Sequence, residues 1–373
     1  MPRFLHTADW QIGRTYRFFD PDDAAALAEA RIDSVKRLAS LANEHKCDAV
    51  LVAGDVFDMQ SVSERLIRKT FNAMAAFTGP WVLLPGNHDA ALAESVWTRI
   101  ERLSILPANV YLALTPEPLL LTEQGLAILP APLTQRHAFD DLTAWFDSAE
   151  TPAGLLRIGL AHGAVQGVLA ESIDSANPIS PDRPERAKLD YLALGDWHGA
   201  KQISPRIWYS GTSEPERFVN NNPGNALLVD IPSPAAAPQV TILETAQHHW
   251  HVLNTTLTVE SDLQVLQQTL QQLPAQSVVQ IELNGSISLN GEEQLEAILQ
   301  EGMARHRALV CNRSELQLQP TDDDIAALHA DGYLAEVISQ LRAEDSNIET
   351  GAANDALRIL AELLRNRAYT EEH

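Results

Sequence analysis

The chain has 373 residues, 45% of them hydrophobic and 21% charged, the balance of an ordinary globular protein and too long for one core. No apolar run approaches the roughly 20 residues of a membrane span, and the opening MPRFLHTAD lacks the apolar stretch of a signal peptide, so a cytoplasmic protein without membrane contact is expected. The formal net charge of -23 works against a polyanionic partner unless metals or a second protein offset it.

In chain order, short apolar runs alternate with stretches of helical period. RFLHTAD is followed by a crossover helix over residues 22 to 45, then DAVLVAGD, a helix over 61 to 77, PWVLLPGNHD, LAILPAPL, LRIGLAHG and LDYLALGDWH. RIWYSGT, NALLVDI and QVTILET continue as plainer strands, and the pattern is that of an α/β fold. The small-residue, proline-rich PSPAAAP marks a break near residue 235, which places a first domain at residues 1–245. Residues 246–320 alternate strand and helix as a small α+β unit, and residues 321–373 form a helical tail. Within the tail, Ile325, Leu328, Leu334, Val337, Ile338 and Leu341 make one apolar stripe and Leu357, Leu360, Leu363 and Leu364 another. Charge follows the same division: residues 1–245 carry 30 acidic and 20 basic side chains, residues 246–373 carry 20 and 7. All five lysines lie at or before Lys201, so a nucleic-acid surface is expected in the first part and protein contacts in the last third. Cys47 and Cys311 have no metal-ligand spacing and are expected as reduced, partly buried thiols.

The chemistry gathers behind the strands. Five of them end in carboxylate, amide or imidazole: Asp9 and Gln11; Asp55 and Asp58; Asn87, His88 and Asp89; His162; Asp196 and His198. In an extended segment positions i and i+2 share a side, so Asp196 and His198 of LALGDWHG can face one pocket. Ligands from the carboxyl ends of several strands converging on one crevice are how open α/β sheets build sites, and these oxygen and nitrogen donors suit divalent metals.

In this order, HTADWQ, AGDVFD, LPGNHD, LAHG and LGDWH resemble the calcineurin-like metallophosphoesterases, and HTADW, VAGDVFD and YSGTSEPERF more narrowly resemble the SbcD-type nucleases of double-strand-break repair. The resemblance covers roughly residues 3 to 245. It implies a four-layer sandwich, two facing sheets flanked by helices, with the α+β unit as a cap and the helical tail after it. It implies Asp55 as a carboxylate bridging two divalent ions, with Asp9, Gln11 and His198 on one and Asn87, His162 and Asp196 on the other. His88 becomes the proton donor or transition-state stabiliser, oriented by Asp58. DNA is the implied substrate, an SbcC-like coiled-coil ATPase the partner, and a homodimer through the first helices the assembly. Where the family carries D-x-H and GHxH, this chain has Gln11 and Asp196; both exchange an imidazole for an oxygen donor, which favours Mn²⁺ or Mg²⁺. The alternatives are a catalytically attenuated structural subunit and a phosphatase or phosphodiesterase for other substrates.

Several neighbours have plainer expected roles. His6 is read as a buried, hydrogen-bonded core residue, Asp89 as a brace of the GNHD loop, and Trp10 and Trp197 as walls of the site. Arg14, Tyr16 and Arg17 lie on a loop where they can grip DNA phosphates, a sugar or a base. His248, His249 and His251 are read as surface residues.

Overall fold

The computed structural model describes residues 2–168, 177–319 and 333–345, with 356, 359 and 360. The chain divides into two compact units, Met1–His248 and His249–His373.

The first unit begins β1 (Arg3–Thr7), α1 (Pro21–Glu44), β2 (Ala49–Val52), α2 (Glu64–Met74), β3 (Trp81–Leu83), α3 (Val96–Leu103) and β4 (Val110–Leu112). It continues β5 (Leu119–Leu121), β6 (Leu126–Ala131), β7 (Leu156–His162), β8 (Ala164–Val165), β9 (Pro178–Ile179), α4 (Arg183–Arg186), β10 (Tyr191–Gly195), β11 (Lys201–Ser204), β12 (Ile207–Tyr209), β13 (Asn225–Asp230) and β14 (Gln239–Glu244). Two six-stranded sheets result, ordered β14-β13-β1-β2-β3-β4 and β11-β12-β10-β7-β6-β5. Their central strands are parallel, whereas β13 runs antiparallel to β1 with Arg3 opposite Asp230.

Strand alternation decides which layer each side chain joins. Phe4, Ala49, Leu51 and Val82 of the first sheet share one core with Ile128, Ile158, Leu160 and Ala193 of the second, so the sheets face each other. Leu5, Val50 and Val52 point the other way and pack against Ile32, Val35 and Leu38 of α1 and Ile67 and Phe71 of α2. On the far face of the second sheet, Leu129, Leu192 and Leu194 pack against Phe146 and Ala187. The result is the expected four-layer sandwich. Pro21 at the first turn of α1 and the Asp22 and Asp23 carboxylates beside it suit a helix start, and the Ser63 hydroxyl caps α2 by accepting from Leu66 N–H at 3.2 Å.

His6 is wholly buried in β1, its Nδ1 3.1 Å from the Tyr191 hydroxyl and its Nε2 3.2 Å from the Leu194 carbonyl. Burial pushes its pKa down from 6.5 to about 3. In that window the unfolded chain binds a proton that the fold refuses, so stability falls as pH drops below 6.5, by up to about 1.4 kcal/mol per pH unit. Urea midpoints at pH 7, 6 and 5 should show His6→Gln with a shallower loss than the parent; parallel curves would mean that His6 does not titrate this way.

The second unit holds β15 (Trp250–Leu257), α5 (Glu260–Gln272), β16 (Val278–Ile287), α6 (Leu289–Arg305) and β17 (Ala308–Leu318). Its three strands are all parallel, in the order β15-β16-β17, because each connection crosses over through a helix. The strand and helix alternation expected there is thus a βαβαβ unit. From the tail, Ile338 on the helix Tyr333–Asp345 is buried in this unit's core, with Leu341 and Leu360 packed against it, so part of the apolar stripe expected to meet a partner is used internally. Ile325, Leu328, Leu357, Leu363 and Leu364 lie outside the described residues, as does the side chain of Leu334. Both cysteines are free thiols; burial pushes that of Cys47 up to about 12, which leaves it unreactive.

Candidate metal centre

The crevice lies where β1, β2, β3, β7 and β10 of the facing sheets end. The turn after β1 crosses to the turn after β2 by backbone bonds, Asp9 N–H to the Gly54 carbonyl at 3.0 Å and Gln11 N–H to the Asp55 carbonyl at 2.8 Å. Asp9, Gln11, Asp55 and Asp196 all have positive φ, 53°, 43°, 52° and 96°, a region that residues with a side chain enter only under constraint. Two glycines admit the crowding. A Cβ at Gly86 would meet Asp55 Oδ1 at 2.1 Å, and one at Gly54 would meet His162 Nδ1 at 2.2 Å.

Asp9, Asp55 and His162 are buried, with ligand atoms that all lie within 4.8 Å of one another. His162 Nδ1 donates to the Ala53 carbonyl at 2.8 Å, so Nε2 faces the crevice. It lies 3.2 Å from Asn87 Oδ1, 3.6 Å from Asp55 Oδ1 and 3.7 Å from Asp196 Oδ1. His198 is arranged alike. Its Nδ1 donates to Glu216 Oε1 at 2.5 Å and its Nε2 faces Asp9 Oδ1 at 3.9 Å and the Gln11 amide at 3.4 Å. An imidazole whose outer N–H is held by a carbonyl or carboxylate is oriented as metal-binding histidines are.

Electrostatics agrees with that use. Burial raises the Asp9 pKa to about 6, partly offset by His198 and His162. Burial disfavours a charged His162, yet the Asp55, Asp9 and Asp196 carboxylates outweigh it and lift the ring to about 9. So dense a set of carboxylates attracts positive charge, and its oxygen and nitrogen donors fit a divalent cation.

His88 stands at the crevice edge. Its N–H donates to Asp55 Oδ1 at 2.9 Å, its Nδ1 donates to the Asp58 backbone carbonyl at 2.9 Å, and its Nε2 is 3.9 Å from Asp55 Oδ2. Asp58 therefore orients the ring through its main chain, with its carboxylate farther off at 3.8 Å. Asp89 accepts from Phe57 N–H at 3.0 Å and Gly86 N–H at 2.7 Å, bracing the GNHD loop. Trp10 is buried, donates to the Thr7 hydroxyl at 3.0 Å and packs edge-on against Trp81. Trp197 is half-buried under the Lys201 ammonium, 5.0 Å from its ring.

The candidate DNA contacts separate. Arg14 reaches the crevice, donating to Gln11 Oε1 at 3.0 Å and pairing with Glu216 at 3.2 Å and Asp58 at 3.5 Å. It opens onto a cleft of ≈ 500 Å³ shared with Asn87, His88 and Arg136. Arg17 is exposed beside it. Tyr16 corrects the expectation: it is 2% exposed with its hydroxyl 3.3 Å from Arg31, so it builds the loop and does not offer a ring to DNA. His248 is a second correction, buried where a surface residue was expected, because its N–H and that of Gln247 donate to the Glu214 carboxylate at 3.0 and 2.7 Å. His249 is exposed and His251 half-buried.

Glu216 and Arg31 were not singled out from the sequence. Burial disfavours charge on Glu216, but its bond to His198 and the nearby Arg31 and Arg14 hold its pKa at about 2. Arg31, from α1, donates to the Trp10, Glu214 and Asp9 carbonyls at 2.7, 2.9 and 3.3 Å and to the Thr212 hydroxyl at 3.2 Å. It clamps the turn after β1 to the segment that carries Glu216.

The sequence profile of the calcineurin-like phosphoesterases matches residues 2–229. Among curated relatives, the SbcD component of the nuclease SbcCD of Escherichia coli is 39% identical over 255 residues, covering 58% of this chain and 61% of that one. An uncharacterized metallophosphoesterase, YhaO of Bacillus subtilis, is 25% identical over 243 residues, 61% of this chain and 57% of that one. The SbcD component of the nuclease SbcCD of Bacillus subtilis is 32% identical over 91 residues, 23% and 22% of the two chains. The chain thus spans no more than about three fifths of the length of these relatives.

Proposed function

The chain belongs to the calcineurin-like phosphoesterases, and from that membership we propose that it is a metal-dependent DNA nuclease, an SbcD-like exonuclease or endonuclease that works with a coiled-coil ATPase. The observation that carries the reading is the buried cluster of Asp9, Asp55 and His162, built from motifs shared in order with that family. The 39% identity to the SbcD component of an SbcCD nuclease directs it toward DNA.

Asp55, 3.6 Å from His162 Nε2, would be the carboxylate shared by two ions, with Asp9, Gln11 and His198 holding one and Asn87, His162 and Asp196 the other. The oxygen-rich set favours Mn²⁺, with Mg²⁺ next. Bound divalent ions supply Lewis acidity and a nucleophile at neutral pH. The chain's own residues do the rest. His162 and His198 keep Nε2 directed inward because Ala53 and Glu216 hold the opposite nitrogens. His88, its Nδ1–H fixed on the Asp58 carbonyl, presents Nε2 to the cleft and, as the imidazolium, hands a proton to the departing oxygen. Arg14, which lines the same cleft, meets substrate phosphate. An SbcC-like ATPase contributes positive surface, the acidic second unit serves as a docking face, and the nuclease acts as a homodimer. Incubating the full chain and Mn²⁺ with labelled linear and hairpin DNA, with and without EDTA, tests the reading: cleavage absent, or indifferent to EDTA, removes it.

One observation favours a second reading, an attenuated subunit with a single tightly held ion. Gln11 Oε1 turns toward Arg14 and accepts from it, so the face toward His198 is the NH₂, which cannot ligate a cation. Mn²⁺ titration followed by calorimetry should find two unequal sites, and Gln11→His should bring the weaker within about tenfold of the stronger, the scale on which an added imidazole acts. Two matched sites in the parent would dismiss the attenuated reading.

A further inference from the structure

Beside the metal centre, the loop that carries Arg14 continues to Phe18, which is 57% exposed although it is a large aromatic residue. It is held in place, lying 4.3 Å centroid to centroid over the buried Phe19, which in turn packs 6.4 Å from Phe218. Two arginines adjoin these rings in sequence, the exposed Arg17 before Phe18 and, before Phe218, the exposed Arg217, whose Nε lies 3.3 Å from Glu216. Glu216 also holds His198, so the platform and the crevice share one segment of backbone.

An exposed ring at the end of an aromatic stack with two arginines beside it in sequence selects its occupant by chemistry. The ring calls for a flat apolar face and the guanidiniums for regularly spaced negative charge, two local cations in a chain whose net charge of -23 otherwise works against a polyanion. Unpaired nucleobases on a phosphodiester backbone carry both, whereas the bases of an intact duplex keep their faces stacked on one another. We propose that Phe18, with Arg17 and Arg217, is a stacking platform for single-stranded DNA, so that this enzyme grips an unpaired end next to the bond it cuts. The inference rests on the nuclease reading and names the form of DNA that it takes.

The test uses the full chain with Mn²⁺, a labelled single-stranded oligonucleotide, a blunt duplex and bis(4-nitrophenyl) phosphate, which is too small to reach the platform. Phe18→Ala is expected to raise KM for the single strand about tenfold, the scale of one lost base stack, with kcat and hydrolysis of the small diester unchanged. Phe18→Trp should restore the parent KM. Arg17→Ala should lower the salt dependence of single-strand binding by about one phosphate contact. A single-strand KM indifferent to Phe18→Ala overturns the platform alone, as does an equal loss on the blunt duplex. A parent chain that hydrolyses the small diester and neither binds nor cuts any DNA overturns the nuclease reading and the platform with it.

Discussion

Asp55→Ala is expected to lose bound metal and phosphodiesterase activity together, whereas His88→Ala keeps the metal and loses about a hundredfold or more in turnover. The difference follows from what each side chain touches. Asp55 sits 3.6 Å from His162 Nε2 and 3.9 Å from His88 Nε2, and its Oδ1 also fixes the His88 N–H, so its removal opens the centre of the donor set. His88 stands outside that set, at the mouth of the cleft, with one nitrogen occupied by the Asp58 carbonyl. Metal content by elemental analysis and turnover on bis(4-nitrophenyl) phosphate separate the two variants. Equal metal loss in both would show that His88 is a ligand and not the proton donor.

Arg31→Met should cost about 1–3 kcal/mol of stability, the usual penalty for leaving buried acceptors without a hydrogen-bond donor. Arg31 is 1% exposed, and its guanidinium satisfies three carbonyls and two hydroxyls while standing 3.8 Å from Glu216 Oε2. Methionine fills the volume but leaves those oxygens buried and without their donor. Denaturant titration reads the loss. Because Glu216 also fixes the His198 tautomer, metal affinity should fall in the same variant, and a change below about 1 kcal/mol would show that water replaces the clamp.

The strands that end in ligands were legible because each is an apolar run of four to six residues that stops at a polar cluster, a signal that buried parallel strands produce. β4, β5 and β11 were not, since three or four residues at a sheet edge show neither a run nor a full alternation. α3 announces itself only by the reciprocal cap of Ser95 and Thr98, which WTRIERL alone does not reveal. At the site, residues named for their chemistry were visible in sequence, and residues that act by position were not. Arg31 looks like any helical arginine, and Glu216 acquires its role from His198, 18 residues away across the end of the sheet. Tyr16, between polar neighbours, reads as exposed; only the fold shows Arg31 drawing it inward. In the tail, apolar periodicity describes a helix face without saying what covers it, and for Ile338 the cover is the second unit's own core.

The antiparallel pairing of β1 with β13 sets a timetable for synthesis. Arg3 waits for Asp230, and Asp9 for His198, so neither the β1 side of the first sheet nor the metal centre can close until about residue 230 has left the ribosome. At ordinary elongation rates the roughly 220 residues between the two strands take about 10–45 s to make. Throughout that interval β1 can pair with β2 and nothing on its other side, presenting an open edge flanked by Phe4 and Leu5. An open edge of that kind pairs readily with another chain, so slowed translation before residue 230 should lower the yield of this protein.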